Sequence, residues 1–448
     1  MANTYLTRTL GSGNKDKWTW SAWVKKHSNG SILPLFHADD GSTNYYTHIS
    51  FHDTDQLFFQ NRYANTNKGY KISTQVFRDN NAWYHVQFVW DSDNSTADDR
   101  QIIYVNGERI TGFDTNVAVT ADQNTTINDG YEHRIGRGGT GFNGSAYANV
   151  TLSHVHFADG QALAPTVFGS TDNVTGEWKI NTSPSFTPGT NGFTILKDGN
   201  TITDQSSNSN NWTLGGGTLT NLVDNPSNVF ATMNPLDNLY FSGTFTNGNN
   251  TVVSGTNSYS YCSSTIHVSS GKYYWEIKAI SPSSAMRVGI GSKIATSNSD
   301  NLGNDTDGEA VIYPSGAIKV NNVDDPNSWS GTSWTTNDIL GFAMDLDNNK
   351  LYISKNGVFM NSGNPTSGST GTGAISITAP ASTPTGNYFV AWGDNWSSGT
   401  ATMSHNFGNG FFGTTAISSE GTNASGIGKF EYDVPAGYTA LSTKGLNS

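Results

Sequence analysis

Charge is scarce in this 448-residue chain. Asp, Glu, Lys and Arg make up 13% of it, against about 25% in an average globular domain. Cysteine is nearly absent, and the single Cys262 excludes an internal disulfide and any cysteine-rich metal centre. No run of ~18 apolar residues occurs, so no helical membrane span is expected. Helical periodicity is nearly absent too; short turns are suggested near residues 162–168 and near the acidic loops, neither long enough to hold as a helix alone. The opening MANTYLTRTLGSG has no basic flank before an apolar core, which reads as synthesis in a cytoplasm with no secretory signal. The net charge of −12 is spread along the chain and argues against a nucleic-acid partner or an anionic lipid surface.

Aromatic and turn-forming residues are abundant instead: 12 Trp, 19 Tyr, 22 Phe and 49 Gly stand among many Asn, Ser and Thr. Residues that populate and punctuate strands predict an all-β protein. Asn-Gly, the strongest short hairpin signal, lies between strand-like runs in IIYVNGERI (102–110) and again in LYISKNGVFM (351–360). Each hairpin sits in a longer matching pattern. WYHVQFVW (83–90) precedes the acidic turn 91–94 and the first hairpin; DILGFAM (338–344) precedes DLDNN (345–349) and the second. Alternation places Val86, Phe88 and Trp90 on one face, and likewise Phe342, Met344 and Leu346. A three-stranded meander therefore occurs twice, which predicts two related β-sandwiches in tandem. Residues 1–169 form the first, 238–448 the second, and 170–237 a connector rich in Pro, Gly and Asn. Phe193, Ile195, Leu196, Trp212 and Leu214 interrupt that connector, so it is expected to be an ordered strap with a strand at 192–196 rather than a free linker.

WTWSAWVK (18–25), NAWYHVQFVWD (81–91), IIYVNGERI and RIGRGGTGFNGSAYANVTLSHVHFADGQAL (134–163) resemble laminin-G-like domains of the concanavalin A-like lectin superfamily. SSGKYYWEI (269–277), MRVGIGS (286–292), the 338–360 meander, YFVAWGD (388–394) and MSHNFGNGFF (403–412) resemble a SPRY domain, also a concanavalin A-like sandwich. With FADGQALAPTVFG, DNPSNVFATMNPLD and FEYDVPAGYTALSTKGLN, the whole chain is similar to bacteriophage virion proteins of tail-fibre or appendage type. The fold this implies is two tandem concanavalin A-like jelly-roll β-sandwiches joined by an ordered connector.

Chemistry can be weighed residue by residue. Glycosidases of such folds need two facing carboxylates, yet no two of the glutamates share a strand, and Asp91/Asp93 and Asp345/Asp347 begin polar turns. Asp53/Asp55 remains as an alternating pair at a strand end. Calcium has hard oxygen ligands on offer at 91–94, 95–100 and 345–349, without an EF-hand pattern. His154 and His156 alternate, and His27, His37, His48 and His52 gather in the first third, without carboxylate or cysteine at metal spacing. No catalytic residue, metal or obligate cofactor is therefore assigned. Trp18, Trp23, Trp83, Trp90 and Trp275 fall in strand patterns and are expected in the cores. Trp329, Trp334 and Trp396 stand among small polar residues, and are the candidate ligand-binding residues because an accessible indole can stack on a sugar face.

What the resemblance implies is a non-enzymatic virion surface protein, homo-oligomeric, that contacts other virion proteins and a glycan or protein of the host surface. A purely structural decoration of the particle and a polysaccharide-degrading enzyme are the alternatives.

Overall fold

The computed structural model describes residues 3–80, 82–236, 240–256, 261–325, 332–395 and 399–447. The chain is all-β, with two separable sheet-rich units, residues 1–221 and 222–448, consistent with tandem jelly-roll-like sandwiches.

In the first unit, eight strands form one sheet in the order Phe113–Val117, Thr66–Val76, Gln56–Tyr63, Tyr46–Phe51, Leu33–Asp39, Glu132–Ile135, Tyr5–Thr9 and Thr213–Gly216. Six form the other: Phe193–Ile195, Val150–Asp159, Lys17–Lys26, Trp83–Asp91, Gln101–Val105 and Glu108–Arg109. Alternation supplies the core between them. Trp18, Trp20 and Ala22 lie beside Trp90, Phe88 and Val86 in the smaller sheet, and with Val24 they pack against Phe36, Ile49 and Phe59 of the larger one. Trp23 and Trp83 are buried as well, outside that central cluster.

Residues 170–221 fold onto this unit. Phe193–Ile195 pairs with Val155–Phe157, Trp212 enters the core, and Thr213–Gly216 extends the large sheet beside Tyr5–Thr7. From Leu222 onward the chain belongs to the second unit, where Phe230 and Met233 are core residues.

The second unit repeats the plan. One sheet runs Thr244–Thr246, Thr251–Val253, Thr402–Asn406, Lys272–Ser281, Ile339–Asp345, Lys350–Lys355 and Val358–Phe359, with Ile375–Ser376 and Thr439–Ala440 as side branches. The other runs Tyr261–Ser263, Phe389–Gly393, Arg287–Gly291, Ala310–Ile312, Ile318–Val320 and Val323–Asp324. Trp275 stacks on Phe342 at 5.2 Å at its centre, and Met344 and Leu346 share the cluster.

The two Asn-Gly hairpins agree in detail. Asn106 and Asn356 have φ of 48° and 49°, and the glycines that follow both have 82°. Each Asn donates its N–H to a carbonyl on the preceding strand, His85 or Ile339 (2.8 Å), and accepts that residue's N–H on its Oδ1 (2.9 Å). A Cβ on Gly107 would stand 2.4 Å from the Trp178 ring, and on Gly357 2.6 Å from Tyr432. Both turns thus need glycine for conformation and for the aromatic laid over them.

Candidate functional site

The first unit holds an open cleft of about 220 Å³ beside the paired strands Val150–Asp159 and Phe193–Ile195. A β-bulge aims its floor. Pairing with Lys17–Lys26 runs from Val150↔Lys26 to Ser153↔Trp23, then resumes at His156↔Ser21, so that two residues oppose Ala22. The extra residue His154 takes φ 51° and donates its N–H to the carbonyl of Leu196, itself at φ 56°. Non-glycine residues in this region carry backbone strain, a cost that collects at functional sites. Plain alternation puts His154 and His156 on one face. Beyond the bulge that alternation holds: Val155 and Phe157 point into the core, and His154 and His156 lie together on the opposite face with ring centroids 6.2 Å apart. The apolar spacing of Val150, Leu152, Val155 and Phe157, with three in place of two at its middle, is the sequence signal for the bulge.

His156 is buried between Phe168, stacked at 5.3 Å, and Phe186, edge-on at 5.9 Å. Its Nδ1 bonds the Thr194 hydroxyl at 2.9 Å, and the ring lines the cleft. Burial, with help from the charge on Lys197, pushes the ring down to about 3, so it is neutral at physiological pH. Ser183, Pro184, Phe186 and Pro188 form one wall, which is tied down where the Asp159 N–H meets the Pro188 carbonyl at 2.9 Å. The opposite wall carries Lys197, Gln205, Ser206 and Ser207.

Asp204 builds that second wall. One oxygen accepts the N–H groups of Thr194 and Ser206 at 2.8 Å; the other accepts the Ser206 hydroxyl at 2.8 Å and the Asn210 N–H at 2.7 Å. Asp204→Ala strands these donors, of which those of Thr194 and Asn210 are buried. It is expected to cost the first unit about 2–3 kcal/mol, read as a lower urea midpoint with unchanged slope.

The arrangements that suggest catalysis do not have its geometry. Ser21 Oγ lies 2.8 Å from His85 Nε2, as in a nucleophile–base pair. The Trp178 indole N–H, however, donates to His85 Nδ1 at 3.1 Å, which puts the ring proton on Nε2 and makes His85 the donor to Ser21. Asp53 pairs with His52 at the surface, while buried Asp55 accepts Lys26 at 2.9 Å and Arg78 at 3.3 Å, so the two carboxylates serve separate ion pairs. Asp39, His37 and His48 form a bonded line on the large sheet (2.7 and 3.1 Å), but Phe142 covers His48 at 4.3 Å and seals its end. Of the oxygen-rich turns, Asp91 is taken by Lys17 and Asn94, and Asp345 by Lys272 and Asn348. No group of three or more His, Cys, Asp or Glu is placed to hold a metal among the described residues.

Trp329 and Trp396 lie outside the described residues. Trp334, expected to be accessible, is 3% exposed and packs in the core of the second unit. Its N–H bond to the Pro314 carbonyl (2.9 Å) pins the loop so that the indole turns inward.

Residues 2–166 match the concanavalin A-like lectin/glucanases superfamily, so a lectin-type domain of that class is present in the first unit. No curated protein matches the chain. Among solved structures, the SPRY domain of human HERC1 is 14% identical, covering 35% of this chain and 87% of that one with a TM-score of 0.26. The PSpry domain of TRIM65 is 13% identical, with 39% and 91% covered and a TM-score of 0.29. Domains LG4-5 of the mouse laminin α1 chain are 8% identical, with 90% and 85% covered and a TM-score of 0.28. At such identities nothing about role transfers. No helix among the described residues is long and apolar enough to cross a membrane.

Proposed function

We propose that this chain is a non-enzymatic binding protein of a bacteriophage particle, a tail or capsid appendage that recognises a glycan or protein on the host surface. The cleft beside His156 carries this reading. It is preformed, open, walled by one aromatic ring and two prolines, and lined by hydroxyls and a neutral imidazole, the combination that holds a sugar ring by its apolar face and its hydroxyls. The lectin/glucanase match over residues 2–166 supports a saccharide ligand. The resemblance of the second sandwich to SPRY modules, and of the whole sequence to virion proteins, supplies the particle context. The reversed Ser21–His85 pair and the separately bound Asp53 and Asp55 favour binding over cleavage. Weak single-site affinity suffices where many copies act together, since linkage raises avidity by about 10²–10⁴.

The test exposes the purified chain to a panel of bacterial surface polysaccharides and reads product size in the same wells. Retention without shortening is the expected result. Shortened chains would make it an enzyme, and no retention would point to a structural part of the particle. Mass spectrometry of purified phage should find the chain, and its absence would remove the virion context.

A further inference from the structure

Resting on the saccharide reading of the cleft, we infer that the ligand is an acidic saccharide whose carboxylate is held by Lys197. The chain carries a net charge of −12, yet the cleft lining contains no Asp or Glu and a single formal cation, Lys197. Neither neighbouring acid forms an ion pair with Lys197 among the described residues. Asp204 spends both oxygens on the loop, and Asp198 accepts the Gln205 side-chain N–H at 2.5 Å. The Lys197 ammonium has no ion-pair partner among the described residues, while its backbone N–H is fixed by Gln205 Oε1 at 3.2 Å. Its place is set by the left-handed turn at Leu196, which ends the Phe193–Ile195 strand and delivers residue 197 to the cleft.

The charge is felt inside: behind burial it contributes to lowering both His154, where Asp198 opposes it, and His156. An acidic partner is the one that uses a half-buried, uncommitted ammonium next to a ring that stays neutral. Phe186 offers a flat apolar face to the sugar, and Ser183, Ser206 and His156 offer partners to its hydroxyls.

Calorimetry on the full chain would compare a hexuronate-containing oligosaccharide with its carboxyl-reduced counterpart, in which each uronate has become a neutral hexose. The acidic form is expected to bind at least about tenfold more tightly, with an advantage that shrinks as salt is raised. Lys197→Gln, a change at a half-buried side chain, should erase the difference while tryptophan fluorescence shows the fold intact. Equal binding of the two forms, or a Lys197→Gln chain that keeps the preference, overturns the role of charge. If Phe186→Ala then abolishes binding of the neutral form, the cleft still stands as a saccharide site. Binding of neither form overturns this inference and the saccharide reading together.

Discussion

At pH 5.5 the first unit is expected to be about 5 kcal/mol less stable than at pH 7.5, and to unfold while the second unit holds. The cause is six histidines buried in the first unit: His37, His48, His85, His133, His154 and His156. Burial pushes His133 and His154 down to about 4 and His85 and His156 to about 3, and holds His37 and His48 below their usual range. A histidine depressed in the folded state contributes its full stability above the unfolded value near 6.5 and loses it as pH falls toward the folded value. In that window each unfolded ring takes up a proton that its folded counterpart refuses, which costs about 1.4 kcal/mol per pH unit. The four rings held at about 3 to 4 together remove about 5 kcal/mol within one unit below 6.5, which reaches the lower end of a domain's whole stability, and His37 and His48 act in the same direction.

The second unit has the opposite tilt. Among its described histidines only His405 is shifted, and the buried carboxyls of Glu276 and Glu309 are both pushed up to about 7 by burial. A raised carboxyl favours the folded state at low pH and loses that contribution between about 4.5 and 7, so acidification to 5.5 offsets the single histidine. Hydrogen exchange read by mass spectrometry separates the units in the intact chain. Peptides from Lys17–Lys26 and Tyr46–Phe51 should lose protection at pH 5.5, and those from Lys272–Ser281 should keep it. Equal protection of the first pair at both pH values would sink the prediction.

This acid lability was only half legible in the sequence. The clustering of His27, His37, His48 and His52 is visible there, but alternation alone reads strand histidines as solvent-facing. The structure covers the outer faces: the 142–147 strand lays Phe142 over His48, and the 178–180 strand lays Trp178 over His85. Such coverage is a long-range event, and local pattern carries no trace of it. The Asn-Gly hairpins and the Val86/Phe88/Trp90 and Phe342/Met344/Leu346 faces were legible because turn chemistry and period-two burial are local. The cleft was not. Its walls come from residues 183–188 and 197–207, which read as polar connector, and its floor depends on a bulge that shifts the phase of one strand. Trp334 shows the same limit from the other side: small polar neighbours describe a loop, and the loop folds its indole inward.

Glu276→Ala should be the most damaging single substitution outside the apolar cores, at about 4 kcal/mol or more. Glu276 sits fully buried on the Lys272–Ser281 strand and gathers three parts of the second unit. One oxygen accepts the Glu431 N–H at 2.9 Å and Asn406 Nδ2 at 3.1 Å; the other accepts the Tyr432 N–H at 2.9 Å and the Tyr274 hydroxyl at 3.3 Å. Asn406 extends the hub, its Oδ1 accepting the N–H groups of Gly408 and Gly410 at 2.9 and 3.1 Å. Tyr432 in turn covers the Gly357 hairpin, so releasing the 429–432 segment uncovers the turn as well. Truncation removes the acceptor of all four donors; the Tyr274 hydroxyl and Asn406 Nδ2 are buried, Asn406 keeping the Lys429 carbonyl at 3.0 Å, and the Glu431 and Tyr432 N–H groups are part-buried, so the desolvation cost falls on each in proportion.

Glu276→Gln isolates the electrostatic part. It keeps the shape but turns one acceptor into a donor, so a smaller loss is expected at neutral pH. It also removes the carboxyl whose ionisation is resisted by burial, worth about 3 kcal/mol between pH 4.5 and 7. Stability of the wild-type second unit should therefore fall as pH rises through that window. The Glu276→Gln chain should keep only the falling slope of Glu309, whose Oε2 accepts the N–H groups of Gly303 and Asp305 at 2.7 and 3.0 Å, and the opposing slope of His405, so that its dependence is nearly flat. Urea midpoints of the second unit at pH 5 and 7.5 decide it. A slope unchanged by Glu276→Gln would mean that the four donors keep this carboxylate ionised throughout, and that burial does not set its proton affinity.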